Sequence, residues 1–162
     1  MTIAAVVTIS DSVARGKRAD RSGPATVEVL RQHGFDVTQQ RTVVDDQDEI
    51  ERTLIQLSGQ VRLIVTTGGT GISERDLTPE ATRAVCSKLI DGIPEKIRAE
   101  GSRNTAFAIL SRGLCGVCGG SLVLNLPGNP AGAVDSLQSV IEILPHALDL
   151  LAGKTEHEQD GQ

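Results

Sequence analysis

Leu63-Ile64-Val65 is an unbroken apolar run that gives way to Thr66-Thr67 and then at once to Gly68, Gly69 and Gly71. A short apolar run without polar alternation marks a strand covered on both faces, as in the interior of a parallel sheet. Asp76 stands five residues after Gly71, and Thr78-Pro79-Glu80 opens a helix with proline at its first position. Glycine lets a backbone approach a ligand closely and reach positive φ without strain. A helix start offers unpaired N–H groups and a positive dipole end, which suit phosphate. One acid beside such a loop is what a phosphate-bound Mg²⁺ needs.

The same alternation of strand and helix extends along the chain. Ile3–Ile9 has the doubly buried strand pattern, and the polar stretch Ser10–Arg21, with Asp11 and several basic residues, is predicted to be loop. Ser22 is placed to cap a helix with Pro24 in its first turn and Gly34 at its end. Phe35, Val37, Val43 and Val44 mark a second, less regular strand. Asp46 with Glu49 forms a capping-box pattern for a helix carrying Ile50, Leu54 and Leu57 on one face and stopping near Gly59. Thr78 is expected to cap a helix to about Ser87, and Asp91-Gly92-Ile93-Pro94 separates it from another over Pro94–Gly101. Residues 104–119 yield only a short apolar piece, Ala106–Leu110, and a glycine-rich bend. Leu122–Leu126 is a short strand, and Asn129-Pro130 opens a final helical stretch. Its apolar residues, Val134, Leu137, Ile141, Leu144, Leu148 and Leu151, recur three and four apart, with Pro145 expected to kink or divide it. The pattern predicts one domain over residues 1–153, an α/β sandwich with a largely parallel sheet and helices on both faces. Residues 154–162 are polar and expected to form a flexible tail.

Composition narrows the function. The chain has 162 residues but only two aromatics, Phe35 and Phe107, so stacking platforms for single-stranded nucleic acid are missing. A net charge of −5 likewise argues against neutralising a nucleic-acid backbone. The first residues lack the basic start of a signal peptide, and no apolar stretch approaches the ~20 residues of a membrane helix. Three cysteines do not make a disulfide framework, so a cytoplasmic location with reduced thiols is expected.

The glycine loop is neither a Walker A nor a GxGxxG fingerprint, and taken alone it is equally a tight strand-to-helix connection. Leu126-Pro127-Gly128-Asn129-Pro130 is a second, stiffer connection, with Asn129 at the capping position. Asp46 has a capping duty, whereas Asp45 has no evident structural one, so Asp45 and Asp76 could share a Mg²⁺. In parallel sheets ligands sit beyond the carboxyl ends of strands, where the loops after Ile9, Val65 and Leu126 would meet. Cys115-Gly116-Val117-Cys118 is a CxxC without further ligands at zinc spacing and without the strand-then-helix setting of a redox motif. No Gly-x-Ser-x-Gly elbow or histidine triad pattern occurs.

Thr66-Thr67-Gly68-Gly69-Thr70-Gly71, the Arg-Asp-Leu-Thr-Pro-Glu-Ala-Thr run of residues 75–82 and Leu126–Pro130 occur in an order and spacing that resemble one family. It is the molybdopterin adenylyltransferase family, which includes the MogA/MoaB proteins and the G domain of gephyrin. Thr8-Ile9-Ser10-Asp11, Asp20-Arg21-Ser22-Gly23-Pro24 and Ala108–Arg112 extend the resemblance over roughly residues 3–152. It implies a three-layer α/β/α fold assembled as a homotrimer. It also implies Mg²⁺-dependent transfer of AMP from ATP to the terminal phosphate of molybdopterin, with later hand-over to a molybdenum insertion protein. The family's two essential acids, catalytic and metal-binding, fall on Asp45 and Asp76, with Asp46 as the alternative to Asp45 at the metal. Substrate contacts fall on Ser10, Asp11, Thr67, Gly68, Gly69, Thr70, Gly71, Glu80, Ser111, Arg112, Pro127, Gly128 and Asn129. The chain departs from many relatives at Cys118, where they carry Arg, and at Thr105-Ala106-Phe107-Ala108, where they often carry Thr-Pro-Phe-Ala. A non-catalytic molybdopterin-binding or scaffold protein is the alternative reading.

Overall fold

The computed structural model describes residues 1–154. Its central sheet is built from β1 (Thr2–Ile9), β2 (Phe35–Val43), β3 (Leu63–Thr67), β4 (Lys88–Leu89), β5 (Cys115–Cys118) and β6 (Ser121–Leu126). The strand order is β2-β1-β3-β6-β5-β4. β2, β1, β3 and β6 run parallel, and the β5–β6 and β4–β5 pairs are antiparallel. The helices are α1 (Asp11–Ala14), α2 (Ser22–Gln32), α3 (Gln47–Ser58), α4 (Thr78–Val85), α5 (Gly92–Gly101), α6 (Pro130–Val140) and α7 (Leu144–Leu151).

Alternation along the buried strands sorts the side chains into two cores. Ala4, Val6, Leu63, Val65, Leu122 and Leu124 face one side, where Val27, Leu30, Leu137 and Leu144 of α2, α6 and α7 cover them. Ala5, Val7, Ile64 and Val123 face the other, against Ile50, Leu54 and Leu57 of α3 and Ala81 of α4. The result is the expected three-layer α/β/α sandwich with a largely parallel sheet.

Several elements differ from the sequence expectation, each for a local reason. The stretch after Ile9 contains the four-residue helix α1, whose N-terminal amide at Val13 is accepted by Ser10 Oγ at 3.3 Å. Ser22 is the first residue of α2 and not its cap: Asp20 Oδ1 accepts from the Gly23 amide at 2.9 Å, and the Ser22 hydroxyl bonds Thr67 Oγ1 at 2.8 Å. Thr78 likewise begins α4 and turns its hydroxyl to the Gly68 carbonyl, 2.9 Å away. The irregularity of β2 is a bulge, since Ala4 pairs with Val37 and Ala5 with Gln39, leaving Thr38 unmatched. The glycine-rich bend holds β5, joined to β6 through Gly119-Gly120. Ala106–Leu110 forms a 3-10 turn. Pro145 divides the last helical stretch into α6 and α7. Of the expected tail, residues 155–162 lie outside the described residues. No helix among the described residues is long and apolar enough to cross a membrane.

Asp46 Oδ2 accepts from the Glu49 amide at 3.0 Å, so the α3 cap is as expected. On the same helix Leu54 is fully buried and Ile55 is 58% exposed. Leu54→Ala should therefore cost about 2–5 kcal/mol in urea denaturation, and Ile55→Ala no more than about 0.5 kcal/mol. Equal losses at the two positions would contradict the assigned helix face.

Candidate active site

Because β1, β2, β3 and β6 run parallel, the turns after all four open at the same end of the sheet. There they enclose a cavity of about 730 Å³. The glycine loop forms its floor and depends on close approach. The Gly68 amide donates to the Leu126 carbonyl at 3.0 Å. Gly68 has φ +93°, and a Cβ there would be driven into the Ile9 carbonyl oxygen. Gly69 has φ +68°, and its missing Cβ leaves room for Thr78 Oγ1. Arg112 locks the far side of the loop. Its Nε donates to the Gly71 carbonyl at 2.8 Å and its Nη2 to the Asp76 carbonyl at 2.9 Å, while Nη1 pairs with Glu80 Oε1. The Arg112 amide donates to the Thr70 carbonyl at 2.8 Å.

Both candidate acids press against this loop. A Cβ on Gly69 would stand 3.3 Å from Asp45 Oδ1, and one on Gly71 would stand 2.6 Å from Asp76 Oδ2. Asp76 Oδ2 accepts from the Ser73 amide at 3.0 Å and the Ser73 hydroxyl at 2.8 Å. Asp45 and Asp11 are bonded reciprocally: the Asp11 amide donates to Asp45 Oδ2 at 2.9 Å, and the Asp45 amide to Asp11 Oδ1 at 3.0 Å. Arg75 Nε and Nη2 close on Asp11 Oδ2 at 3.0 and 2.6 Å.

These neighbours split the two carboxyls electrostatically. Burial, and then the nearby charges of Asp11 and Asp76, raise Asp45 above the ordinary value. For Asp11 burial acts the same way, but the Asp45 amide and Arg75 outweigh it and hold the carboxyl below that value. Glu80 is also lowered, chiefly by its hydrogen bond from Arg112. Two carboxylates at a common cavity, one held against its own ionisation, form a donor set that a divalent cation would relieve. Among the described residues no group of three or more acidic, histidine or cysteine side chains could hold a metal. A cation here would draw its remaining ligands from phosphate and water, as Mg²⁺ commonly does.

Of the residues expected from sequence, Ser10, Thr67, Gly68, Gly69, Gly128 and Asn129 line the main cavity together with Asp45 and Asp76. Asp46 caps α3 and does not line it. Asp11 stands behind Asp45, and Thr70, Gly71, Glu80 and Arg112 brace the loop without lining that cavity. Ser111 and Pro127 line a second cavity of about 500 Å³, which shares Asn129 with the first. Arg18, Asp20, Arg21 and Ser22 also line the main cavity, beyond the site residues expected from sequence. The available signal was the basic stretch before the Asp20–Pro24 match.

Cys115 and Cys118 are buried on opposite faces of β5, each in a different core, so this CxxC presents no paired thiols. Burial pushes the Cys115 thiol up to about 12 and that of Cys86 up to about 11. Cys118 pairs with Ser121 at the start of β6, whereas the cavity lies beyond Leu126. Five residue steps put it about 17 Å from that end, too far to replace a phosphate contact within this chain.

The opposite shifts of Asp45 and Asp11 generate opposite pH dependences. The folded chain holds the Asp45 proton more tightly than the unfolded chain does, so ionised Asp45 costs stability above its folded value, and that cost vanishes below 3.8. Metal-free Asp45→Asn should melt above wild type at pH 7, with the gain disappearing below 3.8. Asp11 stabilises above 3.8 and loses that contribution as pH falls through its lowered folded value. Asp11→Asn should therefore melt below wild type at pH 7, with the deficit closing in acid. Thermal melts across pH check both signs.

Comparison with known proteins agrees with this architecture. The family model described as a probable molybdopterin binding domain (MoCF_biosynth) matches residues 5–146. A molybdopterin adenylyltransferase of Helicobacter pylori is 38% identical over 91% of this chain and 86% of its own length. That of Escherichia coli is 36% identical over 83% of this chain and 71% of its own. The crystal structure of the molybdopterin biosynthesis enzyme MoaB from Thermus thermophilus superposes with a TM-score of 0.89 at 43% identity, covering 95% of this chain and 98% of that one. On the family model, these identities and the shared fold, the chain is a member of the molybdenum cofactor biosynthesis family of molybdopterin-binding domains.

Proposed function

We propose that the chain is a molybdopterin adenylyltransferase that moves AMP from ATP onto the terminal phosphate of molybdopterin and releases pyrophosphate. The observation that carries this reading is the pair Asp45 and Asp76, brought against one glycine loop at one cavity from turns far apart in sequence. In the transfer, an oxygen of the molybdopterin phosphate forms a bond to the α-phosphorus of ATP. The bond from that phosphorus to the bridging oxygen breaks, and its electron pair leaves with pyrophosphate. The attacking phosphate is already an anion, so the reaction needs no side-chain nucleophile. It needs alignment of two anions and offsetting charge.

The chain's own groups supply much of this. The helices α2 and α6 begin at the cavity, at Ser22 and at Asn129-Pro130, and turn positive dipole ends toward it. Asp45 and Asp76 would hold Mg²⁺, which supplies charge neutralisation at the reacting phosphates. The more apolar second cavity, reached past Asn129 and lined in part by Phe107 and Pro127, offers walls for a ring system. The same reading carries a homotrimer, a cytoplasmic location and delivery of the product to a molybdenum insertion protein. An apolar edge suited to self-association exists at the 3-10 turn, where Phe107 is 77% and Ile109 67% exposed.

Purified protein incubated with molybdopterin, ATP and Mg²⁺ should yield adenylylated molybdopterin and pyrophosphate, and chelation of the metal should stop the reaction. Asp76→Asn should lower the rate about 10²–10³-fold with little change in melting temperature, because the amide oxygen can still accept from Ser73. Wild type without product, or Asp76→Asn at wild-type rate, would overturn the assignment.

A further inference from the structure

Two arginines beside the acids and the glycine loop are already committed. Arg75 is bound to Asp11, and Arg112 to Glu80 and the carbonyls of Gly71 and Asp76. Arg18 and Arg21 are exposed residues of the cavity wall. Neither guanidinium has a hydrogen-bond or ion-pair partner among the described residues. Their main chain is pinned on both sides. The Arg18 amide donates to the Ser12 carbonyl at 3.2 Å, and Asp20 accepts from Thr8 Oγ1 at 2.7 Å and from the Gly23 amide at 2.9 Å. The segment is thus fixed, and both of its arginines belong to the cavity wall.

Topology sets Arg21 opposite the acids, while Arg18 is tied to Ser12, next to Asp11. Arg21 leads directly into α2, which packs on α6 over one face of the sheet. Asp45 and Asp76 lead into α3 and α4, which pack on each other over the opposite face. A ligand with a single phosphate can engage one side only, whereas a chain of phosphates can reach both. We propose that Arg18 and Arg21 form a cationic clamp for the polyphosphate end of the nucleotide, selecting a triphosphate over a monophosphate. This deepens the adenylyltransferase reading and rests on it for the identity of the nucleotide. In the transfer the clamp holds the β- and γ-phosphates as they depart as pyrophosphate. Arginine keeps its charge at every working pH and can grip two phosphate oxygens at once.

Calorimetric titration of the full chain with inorganic tripolyphosphate in metal-free buffer isolates the clamp from the acids. Arg18→Ala and Arg21→Ala should each weaken binding roughly tenfold, with melting temperatures unchanged and wild-type affinity falling steeply with salt. AMP binding should change less than about threefold in the same variants. The double lysine variant should bind more tightly than the double alanine variant. Wild type that fails to bind tripolyphosphate, or a double alanine variant that binds it within about threefold of wild type, would overturn the clamp. The two readings separate cleanly. Arginine-dependent tripolyphosphate binding by a protein that transfers no AMP sustains the clamp and removes the activity. Adenylyl transfer with an unchanged KM for ATP in the double alanine variant does the reverse.

Discussion

Asp11, Asp45 and Asp76 are gathered at one end of a sheet, and like charges brought together oppose folding. The opposition is visible at Asp45, whose carboxyl is raised first by burial and then by the two other acids. The arrangement persists because each acid is held by groups of the chain itself, without a metal ion. Asp11 takes the Asp45 amide and Arg75, and Asp76 takes the amide and hydroxyl of Ser73. Beneath them, Arg112 bonds three carbonyls of the loop region and keeps it from relaxing away. A well-packed sheet whose buried strands end together can carry such a local electrostatic cost. A divalent cation in the cavity would turn the same cost into attraction.

The fold was legible wherever the instructions were local. Helix α3 carries its cap at Asp46, its apolar face at Ile50, Leu54 and Leu57, and its stop at Gly59 within one short stretch of sequence, and all of these appear in the structure. Strand β5 could not be read this way. Cys115-Gly116-Val117-Cys118 has no alternation, and it is a strand because the Gly119-Gly120 turn folds it onto β6. Helix α1 is too short to show a period. Ser22 and Thr78 depart from the expected capping role for a third reason. Both have the right chemistry for capping, but Thr67 and the Gly68 carbonyl, distant in sequence, take their hydroxyls.

The site shows the same division. Asp45 was marked by having no structural duty beside a capping Asp46, and the structure turns Asp45 to the cavity and leaves Asp46 on its cap. Glu80 and Arg112 are expected as substrate contacts from the family resemblance alone. Only the three-dimensional arrangement reveals that they bind each other across 32 positions of sequence. Arg18 and Arg21 give little site signal in the sequence because charges in an irregular loop carry no periodicity. Their place at the cavity follows from the contacts of their segment with Ser12 and Thr8, and those are tertiary facts.

Net charge is the weakest guide to such a site. A balance of −5 argues against a long nucleic-acid backbone, which demands an extended field of cations. It says little about a small polyphosphate, which a few donors in a recessed cavity can satisfy. Here those donors are two arginines and the starts of two eleven-residue helices. The acids that contribute to the negative balance are themselves part of the arrangement, since a divalent cation between protein and phosphate would draw ligands from both carboxylate and phosphate. Two arginines and a pair of acids in one recessed cavity let an acidic domain receive an anion. Spreading the same charges evenly over its surface would not do so.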